Sequence, residues 1–143
     1  MNIKAGLIFT LRLLLGAVYL WVVADRLGLL GPVGNPGVVW GDFESFLDYT
    51  ATLNPWFPRQ VSDFLGYGAT FVELALAFLL IGGIRLRAAA LASFGLLLVF
   101  AMSLVLAIGL REASGFIVFT IVAAGASLLI FREASRKAGS LAA

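Results

Sequence analysis

Four long apolar runs divide the chain: Ile3 to Val23, Val61 to Ile81, Ala88 to Leu110 and Gly115 to Phe131. A helix needs about 20 apolar residues to cross about 30 Å of hydrocarbon, so each run is long enough, the last one barely. Backbone in lipid must satisfy its hydrogen bonds within the segment, which leaves helix as the form these runs take. The pattern therefore predicts an all-α fold: an integral membrane four-helix transmembrane bundle, formed as one domain over residues 1–143. The spans fall at about 3–23, 61–81, 88–110 and 115–131, with an outer loop at 25–60 and a C-terminal tail at 132–143. The first run lacks a small-residue cleavage site after a short core and is followed by three like it, so it reads as a retained span and not a signal peptide. Residues Ala138 to Ala143 read as a frayed tail.

The long first connection carries its own pattern. Gly28, Gly31-Pro32 and Gly34-Asn35-Pro36-Gly37 form a run of turn residues. Asp42 then offers an N-cap, and Phe43, Phe46, Leu47 and Thr50 recur at helical spacing while Asp42, Glu44 and Asp48 lie off that stripe. This predicts a short amphipathic helix lying on the outer membrane surface, ended by Asn54-Pro55-Trp56-Phe57-Pro58. Trp40, Tyr49, Trp56 and Phe57 suit headgroup level, and Trp21 a lipid-facing or interfacial position.

Composition agrees with a lipid solvent. Of the 143 residues 62% are hydrophobic and 13% charged, and the mean hydropathy is +1.04. Soluble domains carry about 25% charged residues, and a chain this size cannot hide so much apolar surface from water. The net charge of +2 comes without a basic run flanked by aromatics, which argues against nucleic acid as a partner. Cysteine and histidine are both absent. That excludes disulfides, thiol relays, cysteine-ligated clusters, histidine-ligated haem, the common zinc sites and histidine bases, so no metal site is expected.

Lys and Arg placement sets the expected orientation. With the N-terminus inside, the inner segments hold Lys4, Arg85, Arg87, Arg132, Arg136 and Lys137, and the outer ones Arg26, Arg59 and Arg111. The positive-inside rule then places both ends in the cytoplasm of a bacterial inner membrane. Arg85 and Arg87 are able to hold a lipid phosphate, although their topogenic role suffices to explain them.

Two ionisable residues lie well inside the predicted spans, Arg12 and Glu73. Counted from Lys4 and from Gly82, both sit roughly 12–14 Å from the inner boundary. A lone charge at that depth costs at least ~2.5–3.5 kcal/mol, so an Arg12–Glu73 ion pair between the first two spans is the cheapest explanation for both. Arg12, Gly16, Tyr19, Val23 and Arg26 share one helical face; Gly66, Thr70, Glu73, Ala77 and Leu80 share another. The functional reading is a buried polar pocket for a lipophilic molecule, lined by Arg12, Gly16, Tyr19, Thr70 and Glu73, with Arg12 donating to a carbonyl and Glu73 exchanging a proton. The alternative is an interhelical clamp with no ligand. Asp25, Arg26 and Asp63 read as ordinary interface charge, and Ser93, Ser103, Thr120 and Ser127 as packing residues that bond back to their own helices.

Three stretches carry a family resemblance: Arg12 to Tyr19 (RLLLGAVY), Glu73 to Arg87 (ELALAFLLIGGIRLR) and Ala88-Ala89-Ala90. In these the chain resembles the DoxX family of small four-helix bacterial membrane proteins. Where such proteins often carry a Gly–Lys pair near the end of the first helix, this chain reads Ala24-Asp25-Arg26-Leu27. The resemblance implies a link to quinones or sulfur-compound redox chemistry, with a quinone as the non-covalent ligand of Arg12 and Glu73. The first expectation is thus a quinone-binding protein of a redox or stress-related system, at most one subunit of an oxidoreductase. The second is a non-catalytic scaffold that docks a partner protein or a second copy, with its charges fixing the packing alone.

Overall fold

The computed structural model describes residues 3–142, which form four α-helices and, among the described residues, only an isolated bridge between Val33 and Asn35 in place of any sheet. They are α1 (Ile3–Arg26), α2 (Phe43–Leu53), α3 (Arg59–Gly82) and α4 (Leu86–Ala142).

Local chemistry explains where these helices begin and end. Asp42 caps α2 by accepting the Ser45 N–H at 2.7 Å, and Asn54, ahead of Pro55, closes it by donating from Nδ2 to the Thr50 carbonyl. α3 starts after Pro58 and stops at Gly83, whose left-handed backbone (φ 70°) lets the Ile84 N–H reach the Leu79 carbonyl at 2.9 Å. That is the glycine-ended geometry that satisfies the orphan carbonyls of a helix terminus.

α4 is one helix only in name. At Gly109 the backbone takes φ 80° and ψ 159°, a region open to glycine alone among the common residues. Ser93 Oγ and Ser127 Oγ lie 2.9 Å apart. Along an unbroken helix those residues would be about 50 Å apart. The chain therefore reverses at Gly109, and α4 is a hairpin with a first limb (86–108) and a second limb (110–142). The sequence pattern placed this connection slightly later, at residues 111–114; one glycine does the work, and helical backbone resumes at once. The tail expected to fray from Ala138 is helical through Ala142, and Ala143 lies outside the described residues.

Three helices are long and apolar enough to cross a membrane: Ile3–Arg26, Arg59–Gly82 and Leu86–Ser140. The burial pattern is inverted relative to a water-soluble bundle. Phe64, Phe71 and Phe78, at seven-residue spacing on α3, are 74%, 74% and 62% exposed, whereas Ser62, Glu73, Ser93 and Ser127 are buried. Apolar side chains outward and polar ones inward suit a hydrocarbon solvent, and the chain is a multi-pass membrane protein. Its core joins α1, α3 and both limbs of α4 through Leu15, Leu76, Leu80 and Ile130, with Ala77, Ala89, Ala90, Ala123 and Ala124 allowing the backbones to approach closely.

The helices are staggered, and the stagger determines which charges meet. A Cβ at Gly16 would fall 2.6 Å from Ile81 Cγ1 and 3.1 Å from the Ala77 carbonyl, so Gly16 sits level with residues 77–81. In this antiparallel register Arg12 lies opposite the end of α3, and Arg26 opposite its middle. The end of the bundle that carries residues 27–58 is called the loop end below; the opposite one, with both chain ends and the α3–α4 turn, the termini end.

Candidate functional site: a buried ion pair toward the loop end

Glu73 pairs with Arg26 and not with Arg12. Arg26 Nη1 bonds Glu73 Oε2, Nη2 lies 3.2 Å from Oε1, and Nη1 also donates to Thr70 Oγ1 at 3.0 Å. Both partners are about as buried as any residue in the chain, with Arg26 3% and Glu73 2% exposed. The guanidinium is covered by aromatic rings: its Cζ lies 3.8 Å from the Phe46 ring centroid and 5.3 Å from that of Trp40. Removing water from a cation in this way is tolerable because the carboxylate and the ring faces replace it.

The expected Arg12–Glu73 pair is thereby corrected. Arg12 is partly buried at the termini end. There Nη2 donates to the Ile81 carbonyl at 3.4 Å, its guanidinium packs against Gly83, and Cζ stands 5.0 Å over the Phe9 ring. A cation against the last carbonyls of α3 complements the negative end of the helix dipole. The expected pairing took Lys4 and Gly82 to share a level, whereas α1 runs about two turns beyond the end of α3.

The other predicted residues divide. Thr70 belongs to the pair, accepting from Arg26 and donating to the Gly66 carbonyl at 2.9 Å. Gly16 is a close-approach position for α1 on α3. Tyr19 points across the bundle: its hydroxyl meets Ser93 Oγ at 2.6 Å, Ser93 meets Ser127 at 2.9 Å, and Ser127 donates to the Ala123 carbonyl at 3.0 Å. Ser93 and Ser127 thus do more than bond back to their own helices; they stitch α1 to both limbs of α4.

Two residues read as interface charge turn out to be central. Arg26 already shared the helical face of Arg12, Gly16 and Tyr19, which was the available signal. Asp25, 2% exposed, accepts three backbone N–H groups from the loop: Val39 at 3.0 Å, Trp40 at 3.2 Å and Gly41 at 3.0 Å. Nothing local in the sequence announces that arrangement, since its donors are 14 to 16 residues away. Asp63 makes an exposed i,i+4 pair with Arg59, which also reaches Asp48 at 2.7 Å.

Most of the polar atoms at the site are paired, although Arg26 Nε is buried without a hydrogen-bond partner. Each Glu73 oxygen has a guanidinium partner, the Tyr19 hydroxyl is engaged, and among the described residues no group of three or more metal-ligating side chains gathers. No curated protein and no solved structure matches the chain to a significant degree. A family model does, over residues 4–116, a range that takes in α1, the Asp25 loop, α2, α3 and the first limb of α4. It is not the DoxX model, so the resemblance read from the three short apolar stretches does not hold, nor does the quinone-binding function inferred from it. By the match over most of its length, the chain belongs to the family of methylamine utilisation protein MauE.

Proposed function

We infer that the chain is a non-catalytic accessory protein of a methylamine utilisation system, crossing the membrane four times and holding a partner protein rather than transforming a substrate. The family description supplies the system. The observation that supports the accessory role is that the carboxylate and hydroxyl groups of the interior are engaged with one another: both Glu73 oxygens are bonded to Arg26, with Thr70 on the same guanidinium, whose Nε alone lacks a partner, and the Tyr19–Ser93–Ser127 chain ends on a backbone carbonyl. Polar groups matched to one another in this way fix register and rigidity. The two limbs of α4 count as two of the four crossings, both chain ends lie on the cytoplasmic side, and α2 lies along the outer surface.

The test is genetic complementation in the organism that encodes the chain. Deletion is expected to abolish growth on methylamine as sole nitrogen source. Both the native chain and an Arg26→Met/Glu73→Leu variant are expected to restore it. Unimpaired growth of the deletion strain would remove the chain from that system. A double variant that inserts at native level yet fails to complement would show that the pair takes part in chemistry.

A further inference from the structure

At the termini end an open groove of about 660 Å³ runs between the α3–α4 turn and the last turns of the second limb. Arg85, Arg87 and Lys137 line it, with Leu86, Leu91 and Phe131 as its apolar part, and no carboxylate is among its lining residues. All three cations are exposed, and none of them forms an ion pair among the described residues. Lys137 also borders the neighbouring cavity, where Glu133 stands with Lys4 and Arg136 and pairs with Arg136 at 2.8 Å, whereas Arg85 and Arg87 line only the groove.

The backbone adds an independent observation. Arg85 is the one non-glycine residue with positive φ (46°) among the described residues. Glycine would hold that turn without strain, so the chain bears a backbone penalty to keep an arginine side chain at the groove.

Two arginines without a carboxylate beside them, with Lys137 at the edge of the groove, call for an anion, and an apolar wall beside them calls for hydrocarbon. One chemical class has both parts. We propose that this groove binds an anionic phospholipid, its phosphate among Arg85, Arg87 and Lys137 and an acyl chain along Leu91 and Phe131. Basic pockets between helices at a membrane face are suited to anionic headgroups, and guanidinium groups bond phosphate oxygens two at a time. The position fits, since α3 ends here and Arg12 occupies the same rim.

The test uses the delipidated full chain in a neutral detergent. It is titrated separately with short-chain phosphatidylglycerol, short-chain phosphatidylcholine and inorganic phosphate, and followed by native mass spectrometry and thermal melting. Phosphatidylglycerol is expected to bind and raise the melting temperature, while the other two leave it unchanged. Arg85→Gln/Arg87→Gln is expected to weaken phosphatidylglycerol binding about thirtyfold. Arg132→Gln/Arg136→Gln removes the same charge outside this groove and is expected to bind normally. Equal response to phosphatidylcholine, or an equal effect of inorganic phosphate, overturns the proposal on the native protein alone, even if a variant fails to fold. Native-like binding by Arg85→Gln/Arg87→Gln overturns it as well.

Discussion

Arg26 and Glu73 meet through two parallel N–H to oxygen contacts, from the last residue of α1 to the middle of α3. The pair therefore measures how far one helix has slid along the other. Glu73→Ala, which strands a buried guanidinium, is expected to destabilise the protein by ~3–5 kcal/mol, and Arg26→Met/Glu73→Leu to recover much of that loss. In a double-mutant cycle read by melting in detergent, Arg26 and Glu73 should be strongly coupled. Arg12 and Glu73 should be additive within ~0.5 kcal/mol. Strong coupling of Arg12 to Glu73 would contradict the observed register.

Reversal at Gly109 depends on a backbone conformation that a Cβ opposes. No other atom crowds the position, so Gly109→Ala isolates the conformational penalty from packing. A loss of ~1–3 kcal/mol is expected, seen as a lower melting temperature. Gly95→Ala and Gly125→Ala, in helical backbone with equally open surroundings, serve as controls and should be neutral or stabilising.

Asp25 organises the loop from beneath. Asp25→Ala orphans the N–H groups of Val39, Trp40 and Gly41, each of which donates to a charged acceptor. Hydrogen exchange at these three amides is expected to accelerate by one to two orders of magnitude, matching ~1.5–3 kcal/mol of lost local stability. Exchange in the α4 core should change far less.

Asp42 gives a pH dependence with a defined sign. The Ser45 backbone N–H, followed by the Ser45 hydroxyl, holds its carboxyl below the usual carboxylate value. The ionised form is the better acceptor, so the cap is fully present above the unfolded-chain pKa. It is lost as pH falls through the lower folded-state value. Exchange of the Ser45 amide should rise on acidification through that window, and Asp42→Asn, which keeps an acceptor but cannot ionise, should flatten the profile.

The sequence revealed elements better than encounters. Apolar runs made the helices legible because lipid demands them, and Asp42 announced α2 because capping chemistry is local. Glu73 was legible as buried and needing a cation, since a carboxylate in such a run has few other fates. Its partner was not, because choosing between Arg12 and Arg26 requires the offset of α1 against α3. That offset is set by packing at Gly16, Ala77 and Ile81, and no local pattern encodes it. The family was misread for a related reason: short apolar stretches recur among small membrane proteins whatever they do.

Asp25 and Arg26 are neighbours on the chain, yet one grips the loop at residues 39–41 and the other grips α3. Any displacement of that loop has a single peptide bond to cross before it reaches the residue that ties α1 to α3. The junction is thus a mechanical fulcrum: the seat of the loop and the clamp between the helices share one point on the chain.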